Sequence, residues 1–187
     1  MLIRRAKREE STIIASYIFL AMEEILYHFI GENSKEKAIR LLDSLIEEKN
    51  NQYSYENCWV VVDEHEIVAA ALVYDGSKLN ELRIPVATKI KSMFNNAFNP
   101  EDETQAGEYY IDCVGVDPNQ QGKGIGSKIF KFLIDEYVYK NNETLGLLVD
   151  TENPNAQKLY LKLGFEIVGE KMLVGKRMNH LQFRPTN

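Results

Sequence analysis

The amino-acid sequence predicts a single α/β domain of the α+β type, in which antiparallel and parallel strand pairs both occur. Its 187 residues, 44% of them hydrophobic and 27% charged, suffice for one buried core. Two β-rich runs enclose a polar turn at 63–66, which is typical of an antiparallel hairpin. After Tyr109, a strand, a helix and a second strand follow one another, and this succession forms a right-handed parallel unit.

The N-terminal half, residues 1–75, is predicted to contain a strand, two helices and the hairpin. "MLIRRAK" has the alternation of a first strand. From Ser11 to Gly31 the sequence predicts an amphipathic helix, because apolar residues recur at helical spacing. The recurring residues are Ile14, Ile18, Ala21, Ile25 and Phe29. Ser34 is the expected N-cap of a second helix. The apolar face of that helix consists of Ala38, Leu41, Leu42, Leu45 and Ile46.

The middle segment, residues 76–107, is predicted to be an insertion of one helix and a loop. Pro85 interrupts it, yet the apolar residues that follow keep helical spacing as far as Ala97. The sequence then turns polar in "NPEDETQAG".

The C-terminal half, residues 108–187, alternates between strands and helices. Its predicted elements are the strand "YYIDCVGV", the helix "IGSKIFKFLIDEYVYK", the strand "TLGLLVD", the helix "AQKLYLKLG", the strand "FEIVGEKM" and a last strand near 178–183. Three glycines fall in "NQQGKGIGSK", directly between the first of these strands and the first helix.

These glycines predict a site for an anion. A helix N-terminus offers unpaired N–H groups and the positive end of the helix dipole, and glycines before it let a phosphate approach. The P-loop pattern fails, because Gly115 is too far upstream and Gly124 occupies the hydroxyl position. The dinucleotide fingerprint also fails, because it requires glycine at Ser127 or at Ile129.

The pattern that fits is Q-x-x-G-x-G, formed by Gln121, Gly124 and Gly126. Here the sequence resembles the GNAT superfamily of acyl-CoA-dependent N-acyltransferases, whose pyrophosphate loop carries [QR]-x-x-G-x-[GA] at this passage. A second family pattern follows, with Asn153 and Tyr160 around an alanine, and then "KLGF". The resemblance implies a mixed, mostly antiparallel central sheet, with a parallel pair at the coenzyme A cleft and helices on both faces.

The resemblance also implies which residues hold acetyl-CoA. Backbone amides of residues 121–127 would contact its pyrophosphate, and the segment 114–116 would pair with the pantetheine arm like an added strand. Asn153 would bind the pantetheine or phosphate region, although it is equally suited to cap the next helix. The complete predicted set is Val114, Gly115, Val116, Gln121, Gly122, Lys123, Gly124, Ile125, Gly126, Ser127 and Asn153.

Three residues are predicted to take part in catalysis. An amine must lose a proton before it attacks a thioester, so a base is needed. Asp112 is the preferred base, because it shares strand parity with Val114. Glu108 is the other candidate. A purely structural role for the Asp112 carboxylate is equally open. Tyr160 falls at the family's general-acid position, where it would protonate the leaving thiolate. Some family members carry a glutamate at the position of Leu148, so the resemblance leaves the base unassigned.

The acceptor is predicted to be a primary amine that binds between the first two helices and the 76–107 insertion. Tyr27, Phe29, Trp59 and Tyr74 are the expected lining residues. A net charge of −6 mildly favours a cationic amine. A small molecule, a peptide N-terminus and a lysine side chain all remain open. The sequence thus favours an N-acetyltransferase that works by direct attack in a ternary complex, with a non-catalytic acyl-CoA-binding module as the alternative.

Composition sets further expectations. The absence of a basic block argues against nucleic acid as a partner. The charged N-terminus and the lack of an apolar run of about 18 residues argue against a membrane and for the cytoplasm. Cys58, Cys113 and three scattered histidines suit neither a disulfide framework nor a metal site. A homodimer is compatible with the sequence.

Overall fold

A single seven-stranded sheet organises the computed structural model, which describes residues 1–120 and 122–185. Its strands are β1 (Leu2–Arg5), β2 (Cys58–Asp63), β3 (Glu66–Asp75), β4 (Tyr109–Val116), β5 (Leu145–Asp150), β6 (Glu166–Leu173) and β7 (Lys176–Phe183). They lie in the order β1-β2-β3-β4-β5-β7-β6. The β4–β5 pair is parallel and the other neighbouring pairs are antiparallel. The predicted mixed, mostly antiparallel sheet is confirmed.

Helices cover both faces of the sheet. They are α1 (Ser11–Ile30), α2 (Lys35–Ile46), α3 (Leu79–Phe94), α4 (Ile125–Leu133) and α5 (Pro154–Leu163), and α4 continues as a π-helical stretch over Ile134–Lys140. Helices α1, α2 and α3 bury their apolar sides in one core cluster, and α4 packs in a second cluster on the opposite face. Because each face is covered, several strands are apolar on both sides, as in "VAAALVY" of β3.

Local sequence sets the ends of the first two helices. Gly31 adopts the left-handed conformation that ends α1, with φ of 74°. The Ser34 side chain caps α2 by accepting a hydrogen bond from the Lys37 amide at 3.4 Å. The predicted stripe of α1 is wrong at Ala21, which is exposed, because the helix is kinked at Met22 and Met22 is buried instead.

Helix α3 runs through Pro85 rather than starting after it. Pro85 has no N–H, so the Glu81 carbonyl loses its helical partner. The helix is held in place by burial of Leu79, Val86 and Ile90. The predicted inserted helix is present, but it ends at Phe94, three residues before the end of the predicted helical spacing at Ala97.

The helical segment Arg8–Ile30 meets the length and composition expected of a membrane span, with a mean hydropathy of 1.5. The expectation that no segment is apolar enough is therefore wrong as stated. Half of that window is buried inside the domain, against α2 and strands β3 and β4. This is the environment of a core helix.

Candidate active site

A gap between the parallel strands β4 and β5 is the first feature of the site. Their ladder joins Tyr109–Ile111 to Leu145–Leu147, and within the described residues it goes no further. Beyond Ile111, β4 stays paired with β3, whereas β5 stays paired with β7. The last part of β4 therefore carries backbone groups that face the gap without a strand partner there. Such an edge can accept an extended ligand as an additional strand.

Two helices begin at the open end of this gap. Helix α4 starts shortly after β4 ends and α5 starts shortly after β5 ends, so both N-termini lie at the carboxyl edge of the parallel pair. The positive ends of two helix dipoles thus flank one crevice. Asn153 caps α5, because its Oδ1 accepts a hydrogen bond from the Ala156 amide at 3.1 Å. The capping role that the sequence left open is therefore present, and the Asn153 Nδ2 group remains a donor.

The glycines before and inside α4 keep the crevice clear. Gly122 and Gly124 have φ of 79° and 74°, a conformation that glycine adopts without strain. A Cβ atom added at Gly122, Gly124 or Gly126 would meet no described atom within 4 Å. Lys123 is exposed and its Nζ donates to Gln120 Oε1 at 2.7 Å. Gln121, also predicted for this loop, lies outside the described residues.

Tyr160 lies on the α4–α5 side of the sheet. It is half-buried and packs with Val114, Val116 and Ala156 on the second core cluster, with its ring centroid 5.1 Å from that of Phe130. Burial raises the pKa of its hydroxyl above the usual value, so Tyr160 stays protonated at neutral pH. No hydrogen-bond partner for this hydroxyl occurs among residues 1–120 and 122–185. A protonated hydroxyl can donate a hydrogen bond.

Asp112 lies on the other side because β4 contains a β-bulge. Leu72 of β3 pairs with Cys113 and Val73 pairs with Ile111, so Asp112 is the extra residue. The bulge makes the parity prediction wrong. The Asp112 side chain lies on the α1 side of the sheet, whereas the Val114 side chain packs on the α4–α5 side.

The Asp112 carboxyl group lines a small cavity of about 20 Å³. Burial and the negative charge of Glu103 raise its pKa to about 8, against a partial opposing effect of the Arg83 guanidinium. A carboxyl group with this pKa is mostly protonated at pH 7 and ionises as pH rises through 8, and only its ionised form can accept a proton.

Glu103 approaches the same cavity from the loop after α3. Its Oε1 accepts hydrogen bonds from Tyr74 Oη and Gln52 Nε2, both at 2.8 Å, and its Oε2 pairs with Arg83. Arg83 also donates to Asp102 and to the carbonyls of Pro100 and Glu101. The inserted helix and the acidic loop are therefore fixed to each other beside Asp112.

Glu108 occupies a different environment from the one expected of a base. Its carboxylate accepts hydrogen bonds from Thr104 Oγ1 at 2.7 Å and Gln182 Nε2 at 2.6 Å, and it lies 2.8 Å from His180 Nε2. It is buried before the start of β4, at the closed end of the parallel pair, and these partners hold its pKa below the usual value in spite of burial. This arrangement supports a structural role for the Glu108 carboxylate rather than the role of a base.

The predicted acceptor residues separate in the structure. Phe29 lines the Asp112 cavity. Tyr74 is fully buried below it, in the Glu103 network. Tyr27 lies at the surface, where its hydroxyl donates a hydrogen bond to Glu23 Oε1. Trp59 packs against Phe132 on the opposite face of the sheet. Tyr27 and Trp59 are therefore not part of this cavity.

Several residues of the cavity were missed by sequence reasoning. They are Met22, Gln52, Tyr53, Phe98, Pro100, Glu103 and Leu173. The run "NPEDET" is recognisably acidic, but nothing in the sequence distinguishes Glu103, which points inward, from Glu101 and Asp102. The described residues contain no group of three or more His, Cys, Asp or Glu side chains that could hold a metal ion.

Comparisons with known proteins agree with this geometry. Among solved structures, one titled "The crystal structure of acetyltransferase" superposes with a TM-score of 0.82 at 29% identity and covers 100% of both chains. An N-acetyltransferase from Staphylococcus aureus superposes with a TM-score of 0.81 at 18% identity over 98% of this chain and 100% of that one, and it supports the fold alone.

Curated relatives match over a shorter stretch. N-alpha-acetyltransferase RimI of Mycobacterium tuberculosis is 39% identical over 62 residues, which cover 33% of this chain and 37% of that protein. Spermidine N(1)-acetyltransferase of Escherichia coli is 40% identical over 58 residues, covering 30% of this chain and 31% of that protein. The chain thus spans about a third of the length of these two relatives.

The family model described as "Acetyltransferase (GNAT) family" matches residues 22–165, which is most of the chain. The matched residues include the gap, both helix N-termini and all of the residues that line the Asp112 cavity except Leu173. The chain belongs to the GNAT family of acetyltransferases.

Proposed function

We propose that this protein is an N-acetyltransferase that transfers an acetyl group from acetyl-CoA to a primary amine by direct attack in a ternary complex. The observation that carries the proposal is the β4–β5 gap, which opens onto the glycine-led N-terminus of α4. The crevice fits the cofactor, because the three glycines leave open the space in which a diphosphate would lie against backbone amides. The other predicted contacts are the backbone of 114–116 with the pantetheine arm and Asn153 Nδ2 with a neighbouring oxygen.

Acetyl-CoA, when bound, supplies an activated acetyl thioester. The amine arrives protonated, and its deprotonation costs about 4 to 5 kcal/mol at neutral pH. Asp112 takes this proton as the general base. The free amine nitrogen would then bond to the thioester carbonyl carbon, and the carbon–sulfur bond would break. A backbone amide near Val114 would stabilise the oxyanion, and the Tyr160 hydroxyl would give its proton to the departing sulfur and regain one from solvent.

The test combines binding with turnover. Calorimetry should detect binding of acetyl-CoA and coenzyme A but not of ATP, and thiol release should accompany acetylation of an amine. Tyr160→Phe should lower turnover by about 100-fold, the usual contribution of a general acid, while acetyl-CoA binding is retained. Tyr139→Phe is the matched control, because Tyr139 is an exposed tyrosine of the same protein (63% exposed) and should leave both unchanged.

Two results would contradict the proposal. Failure to bind acetyl-CoA at millimolar concentration would remove its basis. Binding without thiol release across a broad amine panel would favour the acyl-CoA-binding module. A cytoplasmic location and a homodimer stay predictions from the sequence.

A further inference from the structure

The Asp112 cavity has the size of a site for one water molecule. Its volume of about 20 Å³ compares with the roughly 10 to 15 Å³ that a buried water requires. The rings of Phe29 and Phe98 meet edge to face, with 4.7 Å between their centroids, between this cavity and a pocket of about 490 Å³ nearer the surface. A substrate amine with its carbon chain is therefore too large for the Asp112 cavity, whereas a single water molecule fits.

Four of the described residues that line this cavity have polar side chains, and one of them is fully partnered. Glu103 accepts hydrogen bonds from Tyr74 and Gln52 on one carboxylate oxygen, and it pairs with Arg83 through the other. The other three polar side chains of the lining are those of Gln52, Tyr53 and Asp112. The apolar part of the lining consists of Met22, Ile25, Phe29, Phe98, Pro100 and Leu173.

Each of these three side chains has a polar group without a protein partner. Gln52 donates through its Nε2 group, but its Oε1 atom is enclosed and accepts no hydrogen bond from the described residues. The Tyr53 hydroxyl and the Asp112 carboxyl group form no hydrogen bond within residues 1–120 and 122–185 either. Burial raises the pKa of the Tyr53 hydroxyl and the charge of Asp112 raises it further, so these two groups are close to each other. Buried polar groups of this kind are normally hydrogen-bonded, to protein or to ordered water.

One water molecule can satisfy all three groups. It can donate one hydrogen to Gln52 Oε1 and the other to an ionised Asp112 oxygen, and it can accept the hydrogen of the Tyr53 hydroxyl. Three hydrogen bonds are the usual number for a buried water, and cavities that stay dry are lined by apolar groups. The polar lining and the size of the cavity therefore indicate the same occupant.

We propose that the Asp112 cavity binds a single structural water molecule, held by Gln52 Oε1 and the Tyr53 hydroxyl, and that Tyr53 acts through this water as a positioning residue for the Asp112 carboxylate. The donors run from Tyr53 to the water and from the water to Asp112, so the ionised carboxylate is the final acceptor and is stabilised by the chain. Under the proposed function, Tyr53 thereby lowers the pH at which the base becomes available.

The other groups around Asp112 do not provide this stabilisation. Burial raises the pKa of Asp112, the charge of Glu103 raises it further, and Arg83 opposes both effects only in part. The α1 residues that line the cavity are apolar. The remaining titratable groups near Asp112 are thiols and phenols with raised pKa values, namely Cys58, Cys113, Tyr53, Tyr74 and Tyr110. Since they are uncharged at neutral pH, replacing Tyr53 by phenylalanine removes a hydrogen-bond donor and no charge.

Two measurements test the site without acetyl-CoA or an acceptor. A high-resolution crystal structure should show one water within hydrogen-bond distance of Gln52 Oε1, the Tyr53 hydroxyl and Asp112. A carbon-13 NMR titration should place the ionisation midpoint of the Asp112 carboxyl group in Tyr53→Phe about one pH unit above that of the wild type, the effect of one net hydrogen bond. Tyr110→Phe is the matched control, because Tyr110 is also buried close to Asp112 but is not among the described residues that line the cavity, and its midpoint should equal that of the wild type.

Three results would overturn the inference. They are a direct hydrogen bond from Tyr53 to Asp112 with no water between them, equal midpoints in the wild type and Tyr53→Phe, and an equal rise in Tyr110→Phe. Melting temperatures establish that the variants are folded, and if Tyr53→Phe is not, the crystal structure decides alone. The proposed function is tested separately by acetyl-CoA binding and thiol release, so it can stand when this inference fails.

Discussion

Replacing Asp112 by asparagine should make the stability of the protein depend less on pH. The Asp112 pKa of about 8 in the folded chain compares with an ordinary value of about 3.9 for an unfolded one. Between these two values the folded state holds a proton that the unfolded state has lost. A raised carboxyl pKa therefore stabilises the fold at low pH, and this contribution is lost as pH rises through 8.

The size of the effect follows from the same two values. Each pH unit in this window costs the wild type about 1.4 kcal/mol of unfolding free energy. Between about pH 5 and pH 8 the wild type should lose about 4 kcal/mol relative to Asp112→Asn, whose amide imitates the protonated acid. The buried thiol and phenol groups near Asp112 do not titrate in this window. Burial raises the pKa of Cys58 to about 12, and the pKa values of Tyr53, Tyr74 and Tyr110 lie well above their usual values.

The measurement is urea unfolding of wild type and variant at several pH values. Contributions that are the same in both proteins cancel in the difference between them. Glu10→Gln is the control, because the hydrogen bond from Arg4 lowers the pKa of the Glu10 carboxylate, which is therefore ionised in both states above about pH 5 and should give a difference that does not change with pH. A constant difference between wild type and Asp112→Asn over the same range would refute the raised pKa and, with it, the case for Asp112 as the base.

Three further predictions concern the glycine loop, the inserted helix and the approach of α1 to the sheet. Gly126→Ala should keep acetyl-CoA affinity within about threefold of the wild type. Gly126→Leu should lower that affinity at least about tenfold with no loss of melting temperature, because the added atoms enter open space over the helix N-terminus. Equal affinities of the two variants by calorimetry would contradict the diphosphate site. Arg83→Met should destabilise the fold by about 3 kcal/mol in urea, since it leaves Glu103 buried without its cation, and a loss below about 1 kcal/mol would mean that the pair is not structural. Gly115→Ala should cost about 2 to 3 kcal/mol, because its Cβ would lie 2.0 Å from the Tyr17 carbonyl oxygen; unchanged stability would show that α1 moves away freely.

Sequence reasoning identified most of the fold because the patterns involved are local. The apolar spacing of α2, the hairpin around Glu64 and the glycine that ends α1 each depend on a few neighbouring residues, and the structure has them where they were expected. Pro85 was expected to interrupt this segment, but α3 runs through it because burial of the apolar side of the helix outweighs the hydrogen bond that Pro85 cannot make.

The acceptor side could not be predicted in the same way. The run "YYIDCVGV" contains no residue that marks a bulge, so the extra residue at Asp112 is visible only when the register with β3 is known. Glu103 is one of several acidic residues in its loop, and its inward orientation depends on Arg83, Tyr74 and Gln52, which are distant in sequence. Tertiary contacts decide both positions.

The bulge at Asp112 and the gap between β4 and β5 are two results of one local irregularity. The last ladder pair of β4 with β5 is at Ile111, and the bulged residue comes directly after it. A bulge bends its strand and increases the local twist, so the rest of β4 follows β3 and separates from β5. The same irregularity turns Asp112 toward α1, while Tyr160 stays on the α4–α5 side. In the proposed reaction, base and acid must act on opposite ends of the group being transferred. The gap is where these two sides of the sheet meet, so it lies between the proposed base and the proposed acid.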